Sequence, residues 1–178
     1  MIELRVVRRY AAALFGAASQ RGVVDRVESD LGLVSYVVET SPALLKGLTS
    51  PLVPGQRKRE ILRQIFEGKV HEVTLSYLCL LVGKRREEAI PLTEAEYVRL
   101  ANEARGIATA HVVSAVDLVP EEETALAQAL SHATGKTVVL ERSVDPELIG
   151  GVLVKIGDTV IDGSIRGQLE ALREKLLE

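Results

Sequence analysis

The sequence predicts an α+β protein, with an N-terminal six-helix bundle over residues 1–105 and a small α/β domain over residues 106–178. Three observations predict it. Apolar residues recur at three- and four-residue spacing through the first hundred positions, the period of a helix with one buried face. After Gly106 the pattern changes to short Val-rich runs, with Gly157-Asp158 as a two-residue hairpin signal. Aromatics make up only 3% of the chain and Trp is absent, so the core is built from Leu, Val, Ile and Ala, side chains that suit close-packed helices.

Helix one carries Leu4, Val7, Ala11, Leu14, Phe15 and Ala18 on one face and ends at Gly22. Its arginines, Arg5, Arg8 and Arg9, lie in a segment that also holds Glu3 and no serine-rich tract, so it reads as part of the folded domain and not as a transit peptide. Val24, Val27, Leu31, Val34 and Val38 form the second stripe, stopped by Thr40-Ser41-Pro42. Short helices follow at residues 42–48 and 55–66, separated by a turn over 49–54 and closed by Gly68. Residues 70–82 form a strongly apolar fifth helix, and a sixth runs from about Leu92, after Pro91, to Arg105. Short connections between such helices make a compact bundle.

The second domain opens with a strand over Ala108–Leu118. Pro120 with Glu121, Glu122 and Glu123 starts a helix, because proline lacks only an N–H the first turn does not use and acids favour the positive end of the dipole. Leu126, Ala129, Leu130 and Ala133 are its expected buried face, and Gly135 ends it. Thr137–Leu140 is a second strand, Gly151–Ile156 and Thr159–Ile161 form the hairpin, and a last helix aligns Ile165, Leu169, Leu172 and Leu176.

Several chemistries are excluded by spacing. Gly135-Lys136-Thr137 has the end of a phosphate-binding loop, but the leading glycine position is Leu130 and the triplet ends a helix instead of opening one. In Gly163-Ser164-Ile165-Arg166-Gly167 the serine stands one place early for a nucleophile elbow, and Ser164 is read as a helix cap. His71, His111 and His132 share no ligand spacing with the single cysteine, Cys79, which reads as a small buried hydrophobe. Asp145, Asp158 and Asp162 sit beside Pro or Gly, where Asp bonds its own backbone. No catalytic, cofactor or metal residue is therefore assigned. A formal charge of −3 argues against a nucleic-acid partner. The basic clusters Arg57-Lys58-Arg59 and Lys84-Arg85-Arg86 read as solvated helix ends. No apolar stretch approaches the ~20 residues that span a bilayer, so no direct membrane insertion is expected.

Two helices are more apolar than one buried face requires. On helix one a second stripe, Val6, Tyr10, Ala13 and Ala17, lies beside the core stripe, and small residues flanked by Tyr make a shallow groove of the kind a helix occupies. Residues 75–82 (LSYLCLLV) show the same excess. The competing reading is that these are the two central helices of the bundle.

Arg9-Tyr10-Ala11-Ala12-Ala13-Leu14-Phe15 resembles the opening motif of the delta subunits of F-type ATP synthases and of their mitochondrial counterpart, the oligomycin-sensitivity-conferring protein. Val144-Asp145-Pro146-Glu147-Leu148-Ile149-Gly150-Gly151, then Ile156-Gly157-Asp158, then Asp162-Gly163-Ser164-Ile165-Arg166 with Leu169 resemble that family's C-terminal signature in order and spacing, and the likeness covers essentially the whole chain.

The resemblance implies a non-catalytic peripheral-stalk subunit of a proton-driven ATP synthase, held at the cytoplasmic face of the cell membrane as part of that complex. It implies that the helical domain binds the N-terminal helices of the alpha subunits and that the α/β domain binds the b-type stalk subunit, so that the stator resists rotor torque. Tyr10, Ala13 and Ala17 on helix one, with Tyr77, Leu78 and Leu81 on helix five, are the expected contacts of an alpha-subunit helix. Gly150, Gly151, Gly157, Asp158 and Gly163 are then turn and hairpin positions, not a nucleotide cradle. The alternative function is a free-standing adaptor module that binds a helical peptide.

Overall fold

A computed structural model describes residues 4–157 and 159–169. They fall into two compact units that part between Ala101 and Asn102. The protein is α+β, helix-rich at its N-terminus and α/β beyond it.

The first unit is built from α1 (Leu4–Gln20), α2 (Val24–Thr40), α3 (Pro42–Thr49), α4 (Gly55–Phe66), α5 (Glu72–Gly83), a 3-10 turn (Glu87–Ala89) and α6 (Ile90–Ala104), whose last three residues fall past the division. Six plain helices are thus an incomplete description, because the 3-10 turn separates α5 from α6. Two boundaries also differ from the sequence reading. α5 begins at Glu72 and not at Val70, since His71 stands outside the helix and its Nδ1 accepts from the Val73 N–H at 3.2 Å. α6 begins at Ile90, ahead of Pro91, because a proline in the first turn gives up no intrahelical hydrogen bond.

Val7, Ala11, Leu14 and Ala18 of α1 and Val27, Leu31, Val34 and Val38 of α2 are buried, as their periodicity demands. Leu4, on the first turn, is 51% exposed and leaves that stripe. Phe15 is half-buried and meets Tyr97 edge-on, with ring centroids 5.8 Å apart. A pairing of that geometry adds to simple area burial and compensates for the scarcity of aromatics.

The second unit comprises β1 (Ile107–Ser114), α7 (Pro120–Thr134), β2 (Thr137–Val144), a 3-10 turn (Pro146–Leu148), β3 (Val152–Ile156) and β4 (Thr159–Asp162). Its sheet order is β2-β1-β3-β4. β1 and β2 are parallel, joined through α7, while β3 is antiparallel to both β1 and β4. β1 stops at Ser114 and not at Leu118, where the Asp145 N–H bonds the Ser114 carbonyl at 2.8 Å and the ladder ends. β2 continues past Leu140 to Val144, because β1 offers partners along its whole length, from Ile107↔Thr137 to Ser114↔Val144. Ala110, Val112, Val138 and Val154 on one face of the sheet meet Leu130 of α7.

The face that α7 turns inward is also corrected. Leu130 is buried and Leu126 half-buried, but Ala129 and Ala133 are exposed. Ala127 and Ser131 are half-buried in their place, and the Ser131 hydroxyl accepts from the Val138 N–H at 3.0 Å. Residues 165–169 are helical. Leu172 and Leu176 of the expected last helix, and Asp158 of the hairpin, lie outside the described residues.

Candidate functional site

An apolar cleft of about 380 Å³ opens on the helical unit between α1 and α5. α1 supplies Tyr10, Ala13, Leu14, Ala17 and Arg21, and α5 supplies Val73, Ser76, Tyr77 and Leu80. On α1 these positions lie within roughly 100° of arc, so the expected trio Tyr10, Ala13 and Ala17 does share one face. Ala13 and Ala17 are exposed and carry only a methyl group, so the α1 backbone forms the floor. Tyr10 is half-buried against the core, with the Arg9 guanidinium 5.6 Å from its ring centroid.

On α5 the sequence reading is corrected. Tyr77 lines the cleft, but Leu78 and Leu81 are fully buried and face the interior. The direction that serves the cleft runs through Val73, Ser76 and Leu80, roughly 165° around the helix from the face of Thr74, Leu78 and Val82. α5 packs on α1, α2 and α4, and so it buries most of its circumference. Leu80, 45% exposed, is the residue the sequence missed. Its signal was Ser76, a polar residue one turn earlier on an otherwise apolar helix.

A buried polar contact holds the start of α5. Asp30 of α2 is 3% exposed, and its carboxylate accepts from the His71 N–H at 2.6 Å and from the Thr74 hydroxyl at 3.0 Å. It also pairs with Arg26 Nε at 3.0 Å. A carboxylate from another helix therefore caps the N-terminus of α5, satisfying donors that would otherwise be orphaned and complementing the helix dipole. At one end of the cleft Arg21 Nη1 lies 2.5 Å from Glu72 Oε1.

Tyr77 is 5% exposed. The Thr93 hydroxyl donates to the Ala89 carbonyl at 2.8 Å, so the Tyr77 hydroxyl, 3.0 Å away, donates to Thr93. Burial pushes its pKa up to about 12; the Thr93 hydrogen bond opposes this and the Tyr10 phenol adds to it. A tyrosine held neutral in this way acts as a wall and a hydrogen-bond anchor, not as a proton donor in neutral solution.

In the second unit the predicted turn glycines close one corner of the sheet. Gly151 has φ +78°, and a Cβ built on it would lie 2.3 Å from the Gly163 carbonyl oxygen, a distance no side chain tolerates. The Gly163 N–H bonds the Val152 carbonyl and the Ile165 N–H bonds the Gly150 carbonyl, each at 2.9 Å. Gly157 takes φ +57° at the end of β3. The Asp162 carboxylate accepts from the Ser164 hydroxyl at 2.7 Å and from its N–H at 2.8 Å, which holds the Asp162 pKa below its usual range. The Ser164 hydroxyl in turn accepts from the Gly167 N–H at 3.0 Å and caps the helix at 165–169. Gly135, φ +67°, ends α7 and its successor opens toward β2, so the Gly-Lys-Thr triplet lies on a helix stop.

Helices followed by a β2-β1-β3-β4 sheet, with an apolar cleft on the helical half, define a class of two-unit α+β proteins. Residues 6–176 match the family described as ATP synthase delta (OSCP) subunit, and this chain belongs to that family, whose members are non-catalytic structural subunits of F-type ATP synthases. Curated relatives named ATP synthase subunit delta include those of Chlorobium luteolum, 41% identical over 95% of this chain and 93% of the relative, and Symbiobacterium thermophilum, 40% identical over 99% and 95%. A chain in the cryo-EM structure of the Toxoplasma gondii mitochondrial ATP synthase hexamer shares the fold, with a TM-score of 0.69 and 23% identity over 97% of each chain.

Proposed function

We propose that this chain is the stator linker of an F-type ATP synthase, whose helical unit holds an alpha-subunit N-terminal helix and whose α/β unit holds the b-type stalk subunit. On this reading the helices α1 to α6 act as one rigid bundle, divided from the stalk-binding domain at about residue 105. The complex lies at the cytoplasmic face of the cell membrane, where this chain attaches through its partners. No helix among the described residues is long and apolar enough to cross a membrane.

The α1–α5 cleft carries this reading. Its alanine floor permits the close axis separation of roughly 8–10 Å at which helices pack. Leu80, Tyr10 and Tyr77 supply apolar walls, and burial of such surface is worth about 25 cal/mol per Å² before ordering costs. Ala13→Glu tests it, because Ala13 is exposed and the substitution leaves the core untouched. The variant is expected to unfold at the wild-type temperature and to lose binding of a peptide from the alpha-subunit N-terminus by at least about a hundredfold, since a carboxylate would be desolvated without a partner. Undiminished binding would refute the groove. Removing residues 106–178 is expected to abolish capture of the b-type subunit while sparing the alpha peptide.

A further inference from the structure

Two basic clusters far apart in the chain, Arg57-Lys58-Arg59 and Lys84-Arg85-Arg86, meet in the helical unit. Lys58 and Arg59 of the first and Arg85 and Arg86 of the second line one cavity of about 610 Å³ between the loop that enters α4 and the turn that leaves α5. Two of the six cations are already engaged. Lys58 is buried with its Nζ 2.7 Å from Glu87 Oε1, and Arg57 pairs with Glu60 at 3.1 Å. Arg59, Arg85 and Arg86 are exposed, line the cavity, and take part in no ion pair among the described residues. With Glu87 neutralised by Lys58, Glu88 is the only other acid in the lining. A chain whose formal charge is −3 thus carries a concave patch of the opposite sign.

Arg85 adds a conformational observation. It sits at φ +55°, just past the end of α5, where the Arg86 N–H reaches back to the Leu81 carbonyl at 2.9 Å. That closure favours glycine, because a Cβ crowds the backbone in the left-handed region. An arginine there stores strain that glycine would release, and retained strain is a mark of functional positions. What the arginine contributes is a guanidinium on the cavity wall.

We propose that this cavity is a second docking site of the helical unit, and that its occupant is an acidic segment of a partner protein. Carboxylates of the segment pair with Arg59, Arg85 and Arg86, whose planar forks donate to both oxygens of a carboxylate. An apolar residue of the same segment covers Leu52, which is 90% exposed on the adjoining loop. A concave wall favours individual side chains over the flat surface of a bilayer or the rigid backbone of a duplex. The site shares no lining residue with the α1–α5 cleft and does not depend on the function proposed for that cleft.

The test uses the full chain and a fluorescent peptide of about fourteen residues rich in Glu with two Leu, followed by anisotropy. The expected result is saturable one-to-one binding at about 0.15 M salt that weakens at least about tenfold by 0.5 M. Arg59→Glu with Arg86→Glu is expected to weaken binding at least about tenfold at unchanged Tm. Arg85→Gly separates the site from a structural role, because binding is expected to weaken about two- to fivefold while Tm stays level or rises. Ala13→Glu is expected to leave this binding intact, so failure of the cleft and failure of this site are told apart. Absence of saturable binding, indifference to the double charge reversal, or equal binding of phosphatidylserine vesicles or oligothymidylate would overturn the proposal.

Discussion

The helical unit gathers twenty buried apolar residues into one cluster, whereas the sheet unit gathers five among the described residues. The sheet unit also leaves more apolar surface in solvent, with Val116 71%, Ile149 69% and Val160 56% exposed. A small core shields its hydrogen bonds less well, so local opening of the sheet unit requires less free energy than opening of the bundle. The two halves therefore suit different kinds of contact. The bundle offers a cleft whose walls are fixed by a core and a buried carboxylate, while the sheet unit offers exposed apolar positions on a more yielding frame.

The largest expected effect tests the strength of the larger core. Leu81→Ala removes a fully buried side chain and is expected to destabilise the helical unit by about 2–5 kcal/mol in urea denaturation. A loss below about 1 kcal/mol would mean that α5 is not a central helix. The next effect addresses the smaller unit. Gly151→Ala forces a Cβ against the Gly163 carbonyl and is expected to cost about 1–3 kcal/mol, seen as faster amide exchange in β3 and β4 with α1–α6 unchanged. Equal acceleration in both units would show that they unfold as one.

A third prediction uses alkaline pH. Folded Tyr77 keeps its proton to about pH 12, while in the unfolded chain it titrates at its ordinary value of 10.0. Between those values the unfolded state binds fewer protons, so this contribution to stability is complete below pH 10 and lost as pH rises toward 12. Tyr77→Phe is expected to flatten that fall for the helical unit alone. The smallest effect is that of Ala13→Glu on stability, expected within about 0.5 kcal/mol of wild type because the side chain is exposed. A large drop would return that face of α1 to the interior.

Much of this architecture was legible before any coordinate. The stripes of α1 and α2, the helix start at Pro120, the parting of helices from strands near Gly106 and the hairpin at Gly157 all follow from local rules, namely a 3.6-residue period, proline's missing N–H and glycine's access to positive φ. The excess apolar face of α1 was visible for the same reason, and it does line the cleft. The partner face of α5 was not legible. Nearly every position from Leu75 to Val82 is apolar, so periodicity could not distinguish Leu78 and Leu81, which are core, from Leu80, which is not.

The sequence by itself determined the secondary structure order, the family signature at both ends and the glycines that close the sheet corner, because each depends on residues near one another in the chain. Only the tertiary structure decided which side of an all-apolar helix meets solvent, that Asp30 holds the N–H of His71, the cap residue of α5, 41 residues later, and that Arg59 stands on the same cavity wall as Arg85 and Arg86. Those outcomes rest on how helices distant in sequence pack, and side-chain period carries no information about which neighbour will cover a face.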